Sequence, residues 1–169
     1  MRTVAAAIAI AWLIHTFGFN LSTVEGRSME PTLSAKEWLL VNKFVYLIGS
    51  PKMGDIVILK DPSYAQSGES RYLVKRVVGQ PGDRIEIANE RLYRNGIPVE
   101  EPYTDSVIVN GRYGPVVLDA GQYFVMGDNR HENASLDSRS FNAVPRNEIK
   151  GRAEYIVWPI EQWRGLRRP

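Results

Sequence analysis

The chain has 169 residues, a formal net charge of +2, two histidines and no cysteine. The length suits one main domain, and 44% hydrophobic with 24% charged residues excludes a disordered chain and a charged coiled-coil rod. The lack of cysteine excludes disulfides, a thiol nucleophile and iron–sulfur clusters, and the small net charge argues against a nucleic-acid surface.

The first element is apolar. Residues 4–19 read VAAAIAIAWLIHTFGF, and extension to Val24 gives about the 20 residues that cross a bilayer. Arg2 and the amino terminus put positive charge ahead of the run, which places the amino terminus in the cytoplasm and the rest outside. A cleavable signal peptide and a buried helix are the other readings. Residues 1–24 are thus expected to be a membrane anchor, and residues 25–169 a folded domain.

Beyond residue 24 the pattern is one of short strands. They are expected at 55–59 (DIVIL), 72–78 (YLVKRVV), 84–87 (RIEI), 106–109 (SVIV), 123–126 (YFVM) and 155–158 (YIVW). Asn95-Gly96 and Asn110-Gly111 predict hairpin turns, and 52–55 and 81–83 further turns. A turn or two of helix is expected within 32–45, a polar loop at 63–70, and a solvated basic tail from Trp163 onward.

Three segments carry reactive or polar side chains. The first is GRSMEPTL, residues 26–33: Pro31 holds Glu30 extended, Gly26 allows close backbone approach, and Ser28 sits between them. A serine capping a short helix is the plainer reading. In the second, Lys75 shares a strand face with Leu73 and Val77, so burial would lower its pKa and make it a general base. A lysine snorkelling at a sheet edge fits the same pattern. The third, residues 127–139 (GDNRHENASLDSR), is a polar loop in which Asp137 and Arg139 can pair. A Ser–His–Asp triad would have to use His131, because His15 lies in the apolar run. A Ser–Lys dyad needs only Ser28 and Lys75.

Together these segments resemble type I signal peptidases, membrane-anchored Ser–Lys proteases. SMEPTL (28–33) is similar to the family's nucleophile box, GDIV (54–57) to the strand box, KRVVGQPGD (75–83) to the lysine box, and GDNR with SLDSR (127–130 and 135–139) to the last box. The resemblance implies an all-β domain of coiled antiparallel sheets behind one N-terminal transmembrane helix. It implies Ser28 as nucleophile and Lys75 as general base, with Ser135 orienting the Lys75 amine. The Ser28 N–H would serve the oxyanion, with Gly26 where some members carry a second hydroxyl donor. Asp137 and Arg139 would form a supporting ion pair, and Met29 and Pro31 would contact substrate. Four residues separate Arg130 from Ser135, where the family pattern has about two, and that leaves the Ser135 role open. The implied partners are signal-peptide-bearing preproteins, cut after Ala-X-Ala-type sites, and the lipid bilayer; no metal, cofactor or nucleic acid is implied. The implied location is the cell membrane, with the catalytic domain on its outer face. Met29 and Trp38 are expected as exposed apolar contacts with the interface. A self-cleaving regulator with a related dyad, and a non-catalytic anchored β-module that binds secreted chains, are the rival readings.

Overall fold

The computed structural model describes residue 4 and residues 18–64, 70–109, 111–166 and 168. Among them, twelve strands pair antiparallel in two sheets. The larger sheet runs in the order β1 (Phe19–Thr23), β2 (Trp38–Asn42), β11 (Ile149–Trp158), β3 (Ile56–Lys60), β4 (Tyr72–Gly79), β9 (Gln122–Met126) and β10 (Val144–Pro145). A short β12 (Arg164–Gly165) adds beside β11. The smaller sheet has the order β7 (Ile97–Pro98), β6 (Arg91–Arg94), β5 (Arg84–Ala88), β8 (Tyr113–Val117).

The continuous apolar run of β3 follows from its central place, where both faces are covered. Ile56 and Ile58 enter one core with Val24, Met29, Leu33, Leu39 and Val41. Val57 and Leu59 enter another with Val77, Tyr123 and Val125. A third core, including Ile85, Leu92 and Phe124, fills the space beneath the smaller sheet. Asn95 and Gly96 take the two positive φ values (55° and 81°) of a tight hairpin turn between β6 and β7.

Two open strand edges face each other across the curled larger sheet. β1 is its first strand and pairs only with β2. β4 pairs with β9 from Arg76 onward, so the edge at Tyr72–Lys75 carries no partner strand among the described residues. Between these edges runs a trough. One part, of about 470 Å³, is lined by Leu21, Val24, Ser28, Met29, Ile58 and Lys75, among others. It continues into a part of about 330 Å³ that shares Ser22, Ile58 and Tyr72.

Several expectations need correction. The anchor expected over residues 1–24 falls mostly on 1–3 and 5–17, which lie outside the described residues. Its last stretch is described, and it is a strand: Phe19–Thr23 pairs in register from Phe19↔Asn42 to Thr23↔Trp38. That stretch is extended and paired with β2 along one edge, so a helical span cannot extend to Val24. Among the described residues no helix is long and apolar enough to cross a membrane. Residues 32–45 hold β2 rather than helix, because Leu39 and Val41 alternate into the core; the one helical turn there begins at Val45. Residues 106–109 are not a strand. Ile108 is a plug in the third core, and its N–H bonds to the Glu90 carbonyl. The turn at Asn110-Gly111 and most of the loop at 63–70 include residues outside those described. The C-terminal tail is solvent-exposed but tied down at two points: Leu166 packs on the first core, and Arg168 Nε donates to the buried Asp55 at 2.5 Å.

Candidate active site

The connection from β1 to β2 carries Ser28. Its base is closed by main-chain bonds between Val24 and Glu37 (2.8 Å) and between Lys36 and Val24 (2.9 Å). Gly26 has φ +79°, a left-handed geometry that a side chain would strain. Met29 is 2% exposed and anchors the turn in the first core, and the Leu33 N–H returns to the Met29 carbonyl at 2.9 Å. Ser28 is thus held between a permissive glycine and a buried anchor. Met29 also lines the trough but is buried, not exposed as expected, whereas Trp38 is 43% exposed. Pro31 is exposed and does not line the trough.

Lys75 enters from β4, opposite Val57 in register and on the face of Leu73 and Val77. Only 2% of it is exposed. Its Nζ donates to Ser28 Oγ at 2.7 Å and to the Val74 carbonyl at 3.0 Å. Burial pushes the amine down to about 8, against the pull of the Asp137, Asp61 and Asp128 carboxylates and with help from the Arg139 guanidinium. A substantial neutral fraction at physiological pH follows, and a neutral amine 2.7 Å from a hydroxyl can accept its proton.

Asp137 is fully buried beneath this pair. It receives both Nε and Nη2 of Arg139 at 2.8 Å, the Ser135 hydroxyl at 2.8 Å and the Gly127 N–H at 3.1 Å. Burial opposes its ionisation, but those donors hold the carboxyl below the usual range. Arg139 offsets a charge that would otherwise draw Lys75 toward the ammonium form. Ser135 is therefore a ligand of Asp137. It makes no hydrogen bond to Lys75; the Val74 carbonyl fills that place. Gly127 packs so closely that a Cβ there would overlap both Ser135 and the Ser28 carbonyl.

Further contributors were not legible in the sequence as site residues. Asn129 clamps the Ser28 turn: its N–H bonds the Ser28 carbonyl (3.1 Å) and its Nδ2 the Arg27 carbonyl (3.0 Å). Arg76 and Asp128 form a buried bidentate pair at 2.8 and 2.6 Å. Arg76 also donates to the Gly54 carbonyl at 3.0 Å and stacks on Tyr103 at 4.0 Å from the ring centroid. A second buried pair, Arg130 with Glu101, lies beyond Tyr103. The signal for Asp128, Asn129 and Arg130 was their run of three polar residues just after an apolar strand, more polarity than a turn needs.

The Ser28 N–H donates to no group among the described residues. An oxyanion formed at a carbonyl attacked by Ser28 would find it free.

Comparison with known proteins identifies the family. The family model described as signal peptidase, peptidase S26, matches residues 1–158. Signal peptidase I P of Bacillus subtilis subsp. natto is 38% identical over 96% of this chain and 89% of its own length. Signal peptidase I T of Bacillus subtilis is 38% identical over 96% and 86%. A crystal structure of a signal peptidase I from Enterococcus faecalis V583 superposes with a TM-score of 0.50 at 29% identity, covering 62% of this chain and 97% of that one. The chain therefore belongs to the signal peptidase family, peptidase S26, and is a serine endopeptidase.

Proposed function

We propose that this endopeptidase removes signal peptides from exported preproteins after Ala-X-Ala-type sites, using Ser28 and Lys75 as a dyad. The observation that carries the reading is the 2.7 Å contact between Lys75 Nζ and Ser28 Oγ, beside a trough open to an extended chain. Neutral Lys75 takes the hydroxyl proton as Ser28 Oγ attacks the scissile carbonyl. The Ser28 N–H steadies the oxyanion, and Lys75 returns its proton to the leaving amine. Lys75 then activates the water that releases the acyl group. Ser135, Asp137 and Arg139 act as positioning residues: they hold the buried charge beneath the lysine balanced.

The substrate would lie as an added strand between the open edges of β1 and β4, with main-chain bonds supplying affinity. The trough floor is set by Ile58 and Met29, which favours small side chains next to the bond. The test is digestion of a precursor with an Ala-X-Ala site, the new amino terminus being read by mass spectrometry. Cleavage directly after the second Ala is expected, with at least about a tenfold loss when either Ala becomes Leu. Cleavage elsewhere, or indifference to the Leu substitutions, sinks the specificity.

Attachment to the membrane is part of the same proposal. The apolar run ahead of β1 covers residues 4–18, and at about 1.5 Å each a helix over it is about 22 Å, shorter than the hydrocarbon core of about 30 Å, so flanking residues would snorkel or the bilayer would thin around it. Arg2 favours a cytoplasmic amino terminus, with the catalytic domain on the outer face. Trp38, Tyr155, Trp158 and Trp163 are exposed, with Trp38 and Trp158 partners across β2 and β11. Such amphipathic rings suit the lipid interface. The chain is expected to remain with membranes through alkaline carbonate washing; release into the supernatant rules out the span.

A further inference from the structure

We infer that the end of the trough remote from Ser28 is a distal subsite in which Lys43 and Lys150 read an acidic side chain of the substrate, upstream of the cut. This rests on the reading of the trough as the substrate channel. The remote part, about 330 Å³, has Val41 and Ile58 as its apolar floor, Asn20 and Ser22 of β1 on one wall and Tyr72 of β4 on the other. Among the described residues, Lys43 and Lys150 are the charged ones that line it. Among the described residues Lys43 has no ion-pair partner. Lys150 lies 3.6 Å from Glu148 and donates to the Asn147 carbonyl at 2.6 Å. One carboxylate thus faces two ammonium groups, and that end of the trough keeps a positive excess.

The direction of the substrate follows from the edges. Past Lys75, β4 is sealed by β9, beginning at Arg76↔Met126. An added strand therefore finds an open β4 edge only on the Tyr72 side. The residues recognised in the proposed function precede the cut, so they occupy that side. At about 3.3 Å per residue, the chain beside Tyr72 and the two lysines is about four to six residues before the bond. The two ammonium groups flank a walled channel continuous with the catalytic part, which fits a peptide side chain better than a planar array of lipid phosphates.

The test uses the full chain in uncharged detergent and three Ala-X-Ala peptides carrying Asp, Asn or Lys at about the fifth residue before the bond. The Asp peptide is expected to exceed the Lys peptide in kcat/KM by about fivefold at low salt, with the ratio falling toward one at high salt. Lys43→Glu with Lys150→Glu should invert the order, and Lys43→Met with Lys150→Met should bring the ratio near one. Unfolding curves of each variant check that the fold is retained. The same Asp-to-Lys ratio in all three proteins overturns the subsite. A preference that appears only when anionic phospholipid vesicles are added also overturns it, since the lysines would then read lipid phosphate. Failure of the unaltered enzyme to cut any of the three peptides is a different result: it removes the proposed function, and the subsite with it.

Discussion

Ser28→Ala and Lys75→Ala are each expected to lower kcat by at least about 10³-fold, because the two residues act as one unit. Among the described residues Ser28 supplies the one hydroxyl hydrogen-bonded to the lysine amine, and Lys75 is the one basic side chain hydrogen-bonded to Ser28 Oγ. The pH profile of the unaltered enzyme provides the companion test. With the amine at about 8, about a tenth of it is neutral at pH 7 and about nine tenths at pH 9, so activity should rise about tenfold between them. An activity plateau already complete at pH 6, or a Lys75→Ala variant that retains a tenth of the activity, would falsify the dyad. Stability carries an independent signature of the same group. The folded-state value lies below the ordinary 10.5, so between about 8 and 10.5 the unfolded chain holds more protons, and stability rises with pH across that window. Below about 8 the full destabilisation is present, of order 3 kcal/mol. Lys75→Met should therefore be inactive yet melt higher than the unaltered protein at pH 6, with the difference shrinking from about pH 8 and gone above about 10.5. An unchanged or lower melting temperature at pH 6 speaks against a desolvated amine.

The largest loss of stability is expected from Asp128→Ala. It would strip Arg76 of both carboxylate bonds, at side-chain exposures of 2% for Arg76 and 0% for Asp128. A guanidinium left buried without its partner costs about 3–5 kcal/mol. For a chain of this size that lowers Tm by roughly 10 °C or more. The stack on Tyr103 and the bond to the Gly54 carbonyl would keep Arg76 in place and unable to escape to water. Joint replacement, Arg76→Met with Asp128→Leu, should cost much less than the sum of the two single changes. Activity should fall even below the melting transition, because Asp128 precedes the Asn129 that clamps Ser28. A drop in Tm under about 3 °C for Asp128→Ala would show that the pair does not hold the site together.

Much of this protein was legible in its order of residues. The strands at Ile56–Lys60, Tyr72–Gly79 and Gln122–Met126 were readable because apolar runs and alternation are local signals. The pairing of Asp137 with Arg139 was readable for the same reason, since they stand two positions apart. The four boxes, by their resemblance to a known family, singled out Ser28 and Lys75 as residue types able to do the chemistry. β2 was missed because its apolar residues follow a proline turn that reads equally well as helix. The strand Phe19–Thr23 was missed because an apolar run merges into it without a break, and only its partner β2 marks where pairing begins.

Other features were decided only when the chain closed on itself. Ser28 and Lys75 stand 47 positions apart, and their 2.7 Å contact depends on the register of β3 with β4 and on Met29 seating in the core. The low pKa of Lys75 comes from burial, which exists only in the packed molecule. Ser135 could have turned to Lys75 or to Asp137. Its hydroxyl bonds the carboxylate, with Gly127 packed closely against it. The trough itself belongs to no segment: it is the gap left when a curled sheet brings the edges of β1 and β4 to face each other. Local patterning determined which residues could be strand or nucleophile. Hydrogen-bond partners chosen across tens of residues, in space too tight for a misplaced methyl group, decided which of them form the site.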